Sequence, residues 1–306
     1  MIKGEILYSV PMSAYTSFRV GGRVDYLAFP SDIQDLQEVL RRCNQQGVRY
    51  FVLGNGTNLL VRDGGIRGMA ISLSRGFLRV EEVGGGPGEN LILAEAGGPL
   101  GKLVEFSSEK GLTGLEFAAG IPGTVGGAIF MNAGAFKEEM KGVLHSVRLM
   151  DPEGNISEKG KNELRFSYRS LEVEKGEVIL GAQFSLRPEN GQRVKAKVEE
   201  NIRWRKTKQP WDLPSAGSVF KNPVQGPAGR FVEEAGLKGS RIGDAQVSEQ
   251  HANFIVNRGK ARARDILTLV KIIREKVFKE KGVWLETEIQ VVGEDSKNGH
   301  CRHWVV

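Results

Sequence analysis

Two glycine-dense stretches constrain this chain more than any other feature. Gly54-Asn55-Gly56-Thr57-Asn58 follows the apolar Tyr50–Leu53, and Gly120-Ile121-Pro122-Gly123-Thr124-Val125-Gly126-Gly127-Ala128 opens a small-residue strip that runs on to Gly134. Glycine accounts for 40 of 306 residues, well above its usual ~7% share, with no collagen-like period. Such glycines serve turns and close approaches of backbone to ligand. The first loop comes directly off a strand, as a phosphate cradle does: its N–H groups can reach an anion, and Thr57 and Asn58 add donors. A Rossmann fingerprint needs its glycines to open a helix, and the strand-like Leu59-Leu60-Val61 excludes that; the Walker pattern fails too. A plain hairpin turn is the alternative. The second loop, stiffened by Pro122, suits contact with a flat ring or a pyrophosphate. Packing of a helix onto a sheet also calls for glycines there.

Around these loops the chain alternates strand and helix patterns. Val24–Phe29 reads as a strand, and Ser31-Asp32-Ile33-Gln34 has the form of a capping box for a helix with Ile33, Leu36, Val39 and Leu40 inward. Tyr50–Leu53 returns as a strand, giving a βαβ-type opening. A β-rich second unit follows: Leu78–Val83, a glycine loop at 84–88, Leu91–Ala96, a helix over Leu100–Lys110, then Val143–Met150 and Val178–Leu186. From Pro188 to Gln209 the chain is charged and helical. A long amphipathic helix spans Ala263–Lys281, and Val283–Val292 closes the chain as a strand before a polar tail. Two cysteines, Cys43 and Cys301, cannot build a disulfide framework, so a reducing compartment is expected. No signal pattern opens the chain, and no apolar run approaches ~18 residues. A cytoplasmic protein without membrane insertion is therefore expected. The net charge of +6 is too small and scattered for a nucleic-acid binder but suits small anionic ligands.

Several residues could carry chemistry. Ser218, between Pro214 and Pro223, could donate a hydroxyl proton, but it lacks the nucleophile elbow of a hydrolase and could equally be a turn serine. Arg169 follows an aromatic in Phe166-Ser167-Tyr168-Arg169. Glu286 and Glu288 share one face of a strand at period two. Surface charge is the ordinary reading of all three. The Arg203–Lys208 cluster could be the solvated end of a helix. His145, His251, His300 and His303 have no metal-ligand spacing, so no metal is expected.

Taken together, the segments TSFRVGG, VLGNGTNLLVRDGG, GIPGTVGGAIFMNAGA, FSYR, PSAGSVFKNP, AGLKG and LETEI resemble, in order and over nearly the whole chain, the UDP-N-acetylenolpyruvoylglucosamine reductase family of peptidoglycan precursor synthesis. The length fits the shorter subtype, which lacks a tyrosine-bearing loop. The resemblance implies an α+β fold: a two-subdomain FAD-binding domain of the vanillyl-alcohol-oxidase type, plus an α+β substrate-binding domain. The corresponding boundaries are 1–73 with 283–306, 74–187, and 188–282.

It also implies non-covalent FAD along Gly54–Asn58 and along Gly120, Ile121, Pro122, Gly123, Thr124, Gly126 and Gly127, with Arg205 near its phosphates. NADPH would reduce the flavin and leave. Flavin N5 would then pass hydride to the enolpyruvyl group of UDP-N-acetylglucosamine enolpyruvate. Arg169 would stabilise the enolate-like charge, assisted by Glu288, and Ser218 would protonate it. Glu288 rather than Glu286 matches the family because Ile289 follows it, although a two-residue shift stays open. Lys208 and Asn222 would hold the substrate. A monomer is expected. Two other functions stay open at this point: an FAD-dependent alcohol or sugar oxidase of the same superfamily, and a non-catalytic nucleotide-sugar or flavin-binding regulator.

Overall fold

The computed structural model describes residues 2–84 and 90–295; most of the glycine loop at 84–88 and the tail with Cys301, His300 and His303 lie outside the described residues. The first sheet has the order Glu5–Pro11, Arg23–Phe29, Ile66–Ile71, Tyr50–Val52. Its first pair is antiparallel and the other two are parallel. The strand–helix–strand opening is present, but Ile66–Ile71 sits between the two strands that the helix Ile33–Gln45 connects. The helix begins one residue later than the Ser31 capping box predicts. Asp32 is its N-cap, accepting the Asp35 N–H at 2.8 Å. The Ser31 hydroxyl is instead turned to the buried Asp35 carboxylate, which also accepts the N–H groups of Lys3, Gly4 and Ser31. Burial alone would raise the Asp35 pKa, but these donors outweigh it and hold the group below its ordinary value.

A second, antiparallel sheet runs Ile156–Gly160, Leu144–Met150, Val178–Pro188, Asn90–Glu95, Val80–Gly84. Alternating apolar residues of these strands, such as Ile92, Ala94, Val147, Leu149, Ala182 and Phe184, pack with Leu100, Leu103 and Val104 of the helix Leu100–Glu109. Helices set beside a mainly antiparallel sheet are the α+β class the sequence implied.

The charged helix Gly191–Lys208 is capped by Asn190, whose side chain accepts the Gln192 and Arg193 N–H groups. Beyond it, residues 216–289 build a separate core with Phe18, Val20 and Leu60. The helix Ala263–Lys281 buries Ile266, Leu269, Val270, Ile273 and Val277 there and ends at Gly282 in the left-handed conformation, φ 68°. The closing strand is shorter than the sequence suggests: Gln290–Val292 alone forms it, pairing parallel with Leu59–Val61. Residues 283–289 stay irregular because they pair instead with the loop around Phe220, through a bridge at Thr287.

The first turn of Ala263–Lys281 is tied to the other end of the chain. The Asp63 carboxylate accepts the N–H groups of Ala263 and Arg264 at 2.9 and 3.1 Å, supplying two of the donors that a helix start leaves unmatched. Asp63→Ala is expected to lower stability by about 1–2 kcal/mol, read as a lower urea midpoint. Asp63→Asn, which keeps an acceptor, should lose less. Equal midpoints for all three proteins would show that the clamp contributes nothing.

Candidate active site

The two glycine loops face one another. The Thr57 hydroxyl donates to the Pro122 carbonyl at 3.1 Å, and a Cβ on Gly54 would stand 2.8 Å from Thr124 Oγ1. Gly56 has φ +62°, and a Cβ there would lie 2.2 Å from the Tyr15 carbonyl oxygen, so no other residue fits. Among the described residues, none of the five backbone N–H groups from Gly54 to Asn58 donates a hydrogen bond within the chain. Five consecutive free donors on a fixed turn form a cradle for an anion. Next to it lies an open cleft of about 340 Å³ bounded by Tyr15, Thr16, Ser17, Gly54, Asn55, Ser72 and Arg75. Free donors beside an extended cleft fit the diphosphate of a dinucleotide and its flanking groups.

In the second loop Pro122, Gly123 and Thr124 meet the first loop, Gly120 packs on Arg205, and Gly126 and Gly127 lie in the helix that follows. Gly126 donates to the Ala96 carbonyl, and a Cβ on it would meet Ala96 Cβ at 2.8 Å. Gly127 N–H is taken by the Thr124 hydroxyl, the N-cap of a six-residue helix. Arg205, expected beside the phosphates, is buried and spends Nε and one Nη on the carbonyls of Ala119 and Phe117, at 2.8 and 3.1 Å. It braces the glycine turn from behind.

Two hairpins bring in the remaining groups. Phe166-Ser167 pairs with Ser170-Leu171, leaving Tyr168 and Arg169 at the tip, with Arg169 in the left-handed region at φ 61°. Asn132 Nδ2 donates to the Ser167 carbonyl and ties this hairpin to the Gly134 strip; a Cβ on Gly134 would lie 2.9 Å from Arg169 Nη1. Arg169 Nε stands 3.2 Å from Glu288 Oε1, yet its N–H is not aimed at that oxygen, and it is the one buried side-chain polar atom among the described residues without a hydrogen-bond partner. Burial raises the Glu288 pKa, and the opposing charges of Arg169 and Lys221 do not reverse it. Burial, then the Arg169 charge, presses the Arg205 pKa down to about 10, so the Arg205 guanidinium stays charged at neutral pH. The pocket therefore holds two guanidiniums against one reluctant carboxylate.

Glu288 reaches this point because Asn58 Nδ2 donates to its carbonyl at 3.1 Å and the Gln290 N–H donates to the Asn58 carbonyl. Glu286 turns outward, 3.6 Å from Lys221. Ser218 is carried on a loop stitched from both sides. Val219 N–H donates to the Asn253 carbonyl, Glu288 N–H donates to the Val219 carbonyl, and the buried Asn253 side chain pairs with both backbone groups of Phe220. Lys208 is solvent-exposed at the end of its helix, and Asn222 is exposed with its Oδ1 accepting the Ala228 N–H. Three supporting residues had no local sequence signal: Asp63, Asn253 and Lys221, whose partners all lie far along the chain.

Residues 24–159 match the FAD binding domain family, and residues 209–292 match the family described as UDP-N-acetylenolpyruvoylglucosamine reductase, C-terminal domain. The chain is 42% identical over 294 residues to the UDP-N-acetylenolpyruvoylglucosamine reductase of Syntrophus aciditrophicus, covering 96% of this chain and 94% of that one. It is 46% identical over 294 residues to that of Caldanaerobacter subterraneus subsp. tengcongensis, covering 95% of each. Among solved structures, the UDP-N-acetylenolpyruvylglucosamine reductase of Thermus caldophilus superposes with a TM-score of 0.80 at 36% identity, over 95% of this chain and 99% of that one. With free donors on facing glycine loops, a guanidinium and carboxylate at their edge and near-complete coverage by these relatives, the chain belongs to the UDP-N-acetylenolpyruvoylglucosamine reductase family.

Proposed function

We propose that this chain is the FAD-dependent, NADPH-driven reductase that converts UDP-N-acetylglucosamine enolpyruvate to UDP-N-acetylmuramate in the cytoplasm. Among the described residues no helix is long and apolar enough to cross a membrane, in keeping with an aqueous, nucleotide-linked substrate. The observation that carries the reading is the buried Arg169 Nε, which has Glu288 as counter-charge but no hydrogen-bond acceptor, beside a cradle of free N–H groups: donors are in place without acceptors. In this reading residues 1–73 with 283–306 and residues 74–187 hold the flavin, and 188–282 hold the sugar nucleotide.

Gly54–Asn58 and Gly120–Thr124 would hold FAD, which when bound accepts hydride from NADPH and supplies it to the enolpyruvyl carbon. No side chain in the two loops offers a His or Cys for attachment, so the flavin is held non-covalently. Arg169 faces the substrate carboxylate and the adjacent carbon, where negative charge grows as hydride arrives. Its guanidinium is fixed before the reaction by the hairpin and by Glu288, so it does not have to reorganise as charge develops. Glu288, 3.2 Å from Arg169 Nε, orients that guanidinium. Ser218 delivers the proton to that carbon. A serine is a weak acid, so the positive charge that Arg169 brings to the site would favour the transfer by stabilising the oxyanion left behind. Lys208, exposed and unpaired among the described residues, takes the diphosphate of the sugar nucleotide. Asn222 closes the far side of the same cleft.

A yellow protein bleached by NADPH and reoxidised by the enolpyruvyl substrate is the expected behaviour. Rapid reoxidation by air alone would favour the oxidase alternative. In Ser218→Ala the bleaching should stay normal while substrate-driven reoxidation falls roughly a thousand-fold. Normal reoxidation would remove Ser218 from the proton transfer.

Arg169→Gly separates charge from fold. Glycine adopts φ 61° without steric cost, which offsets part of the loss of the Glu288 counter-charge, so the variant should stay folded while turnover drops roughly a hundred- to thousand-fold. A destabilised variant with retained turnover would contradict the assignment.

The raised Glu288 pKa fixes the sign of a pH effect. Below its ordinary value of 4.5 the group is protonated folded and unfolded alike, and above it the folded state resists ionisation. Stability of the parent relative to Glu288→Gln should therefore be flat below about pH 4.5 and fall as pH rises through the raised value. Paired urea titrations check this, and a difference that grows in the parent's favour would overturn it.

A further inference from the structure

An aromatic pair at the mouth of the site has no role in what has been described so far. Phe136 and Trp204 meet edge to face, centroids 5.2 Å apart at 76°, yet each stays about two-fifths exposed, at 41% and 43%. They come from separate parts of the chain. Gly134-Ala135 pairs antiparallel with Glu138-Glu139, so Phe136 and Lys137 form the two-residue tip of a hairpin. Both have left-handed backbones, φ 54° and 69°. Asn-Gly is the preferred occupant of such a tip, and a residue bearing a larger side chain is strained in either position. A strained tip that leaves its phenyl ring 41% exposed gains less in folding from that ring than a fully buried one would, and such strain collects at ligand sites.

The position of the pair is also informative. Arg205 Cζ lies 5.7 Å from the Phe136 centroid, and Gly134, two residues before Phe136, abuts Arg169. Trp204 lies on the helix Gly191–Lys208 one residue before the buried Arg205, and Lys208 follows one turn later on the same side of that helix. Two half-exposed aromatic rings, set nearly perpendicular to one another, thus stand one helical turn from the exposed Lys208 ammonium, at the edge of a pocket with surplus positive charge.

We propose that Phe136 and Trp204 form a stacking platform for the heteroaromatic base of a nucleoside diphosphate, with Lys208 taking up its phosphates. The inference rests on the reductase reading, which supplies two ligands of this chemistry, the sugar nucleotide and the dinucleotide reductant. Aromatic faces accept any base, so the platform itself does not choose between them.

Titrating the FAD-loaded protein and its variants with UDP and, separately, with NADP+ tests the proposal, using calorimetry and the kinetic constants for each substrate. Trp204→Ala should weaken at least one nucleotide roughly ten-fold, with a matching rise in the corresponding KM and kcat changed much less. Trp204→Phe should restore most of the loss, which a merely structural role would not do. Loss confined to UDP assigns the platform to the sugar nucleotide, and loss confined to NADP+ assigns it to the reductant; either supports the proposal. Phe136→Leu gives a second route should Trp204→Ala lose flavin. Affinities within two-fold of the parent in both variants would overturn the platform while leaving the reductase reading intact. A parent protein that is bleached by NADPH yet binds neither UDP nor NADP+ would overturn the platform, and one that NADPH does not bleach would overturn the reductase reading.

Discussion

The site depends on a pairing only three residues long. Gln290–Val292 lies parallel to Leu59–Val61, and no other strand among the described residues pairs with either. This short ladder places Glu288 beside Asn58 and, through the Glu288 N–H, holds the loop that carries Ser218. Register matters more here than ladder length. A slip of one residue would present Thr287 or Ile289 to Arg169, leaving the guanidinium buried without a counter-charge. The Asp63 clamp and the Asn257 side chain, which donates to the buried Phe18 carbonyl, guard that register from either end of the C-terminal unit.

Around this joint, polar groups are held short of their own satisfaction. Arg169 pairs with Glu288 by charge but not by a hydrogen bond from Nε, Glu288 is resisted by its burial, and Arg205 loses solvation to brace a turn. Each condition costs stability when no ligand is present. Left-handed backbones at Asn132, Phe136, Lys137 and Arg169 add local strain in the same neighbourhood. The compensation comes from ordinary packing elsewhere, in the three apolar clusters under the sheets and along the C-terminal helix.

Much of this was legible in the sequence because it was local. The glycine loops, the amphipathic helix Ala263–Lys281 and the ordered set of short motifs carry their own period or composition. What escaped depended on distant partners. The strand Ile66–Ile71 contains Gly68 and an Arg, and inserts between two strands that look adjacent in sequence. Residues 283–289 read as strand because they alternate, but their pairing is with an irregular loop. For Arg205 the resemblance implies a place near the flavin phosphates; its basic neighbours do not reveal that Nε and one Nη are taken by carbonyls 86 and 88 residues away. The Ser31 box failed for a local reason, since Asp35 offers that serine a stronger acceptor.

The return of the closing strand also sets an order on assembly. Asn58 and Glu288 are 230 residues apart, and among the described residues Leu59–Val61 has no other ladder partner. A nascent chain emerges from its N-terminus, so this strand waits open while almost all of the rest is synthesised, and local helices and the antiparallel sheet have ample time to form first. The cradle and its carboxylate come together only when Gln290–Val292 leaves the ribosome. A chain cut short anywhere before Gln290 lacks the joint, and with it any half-built centre able to pass electrons astray.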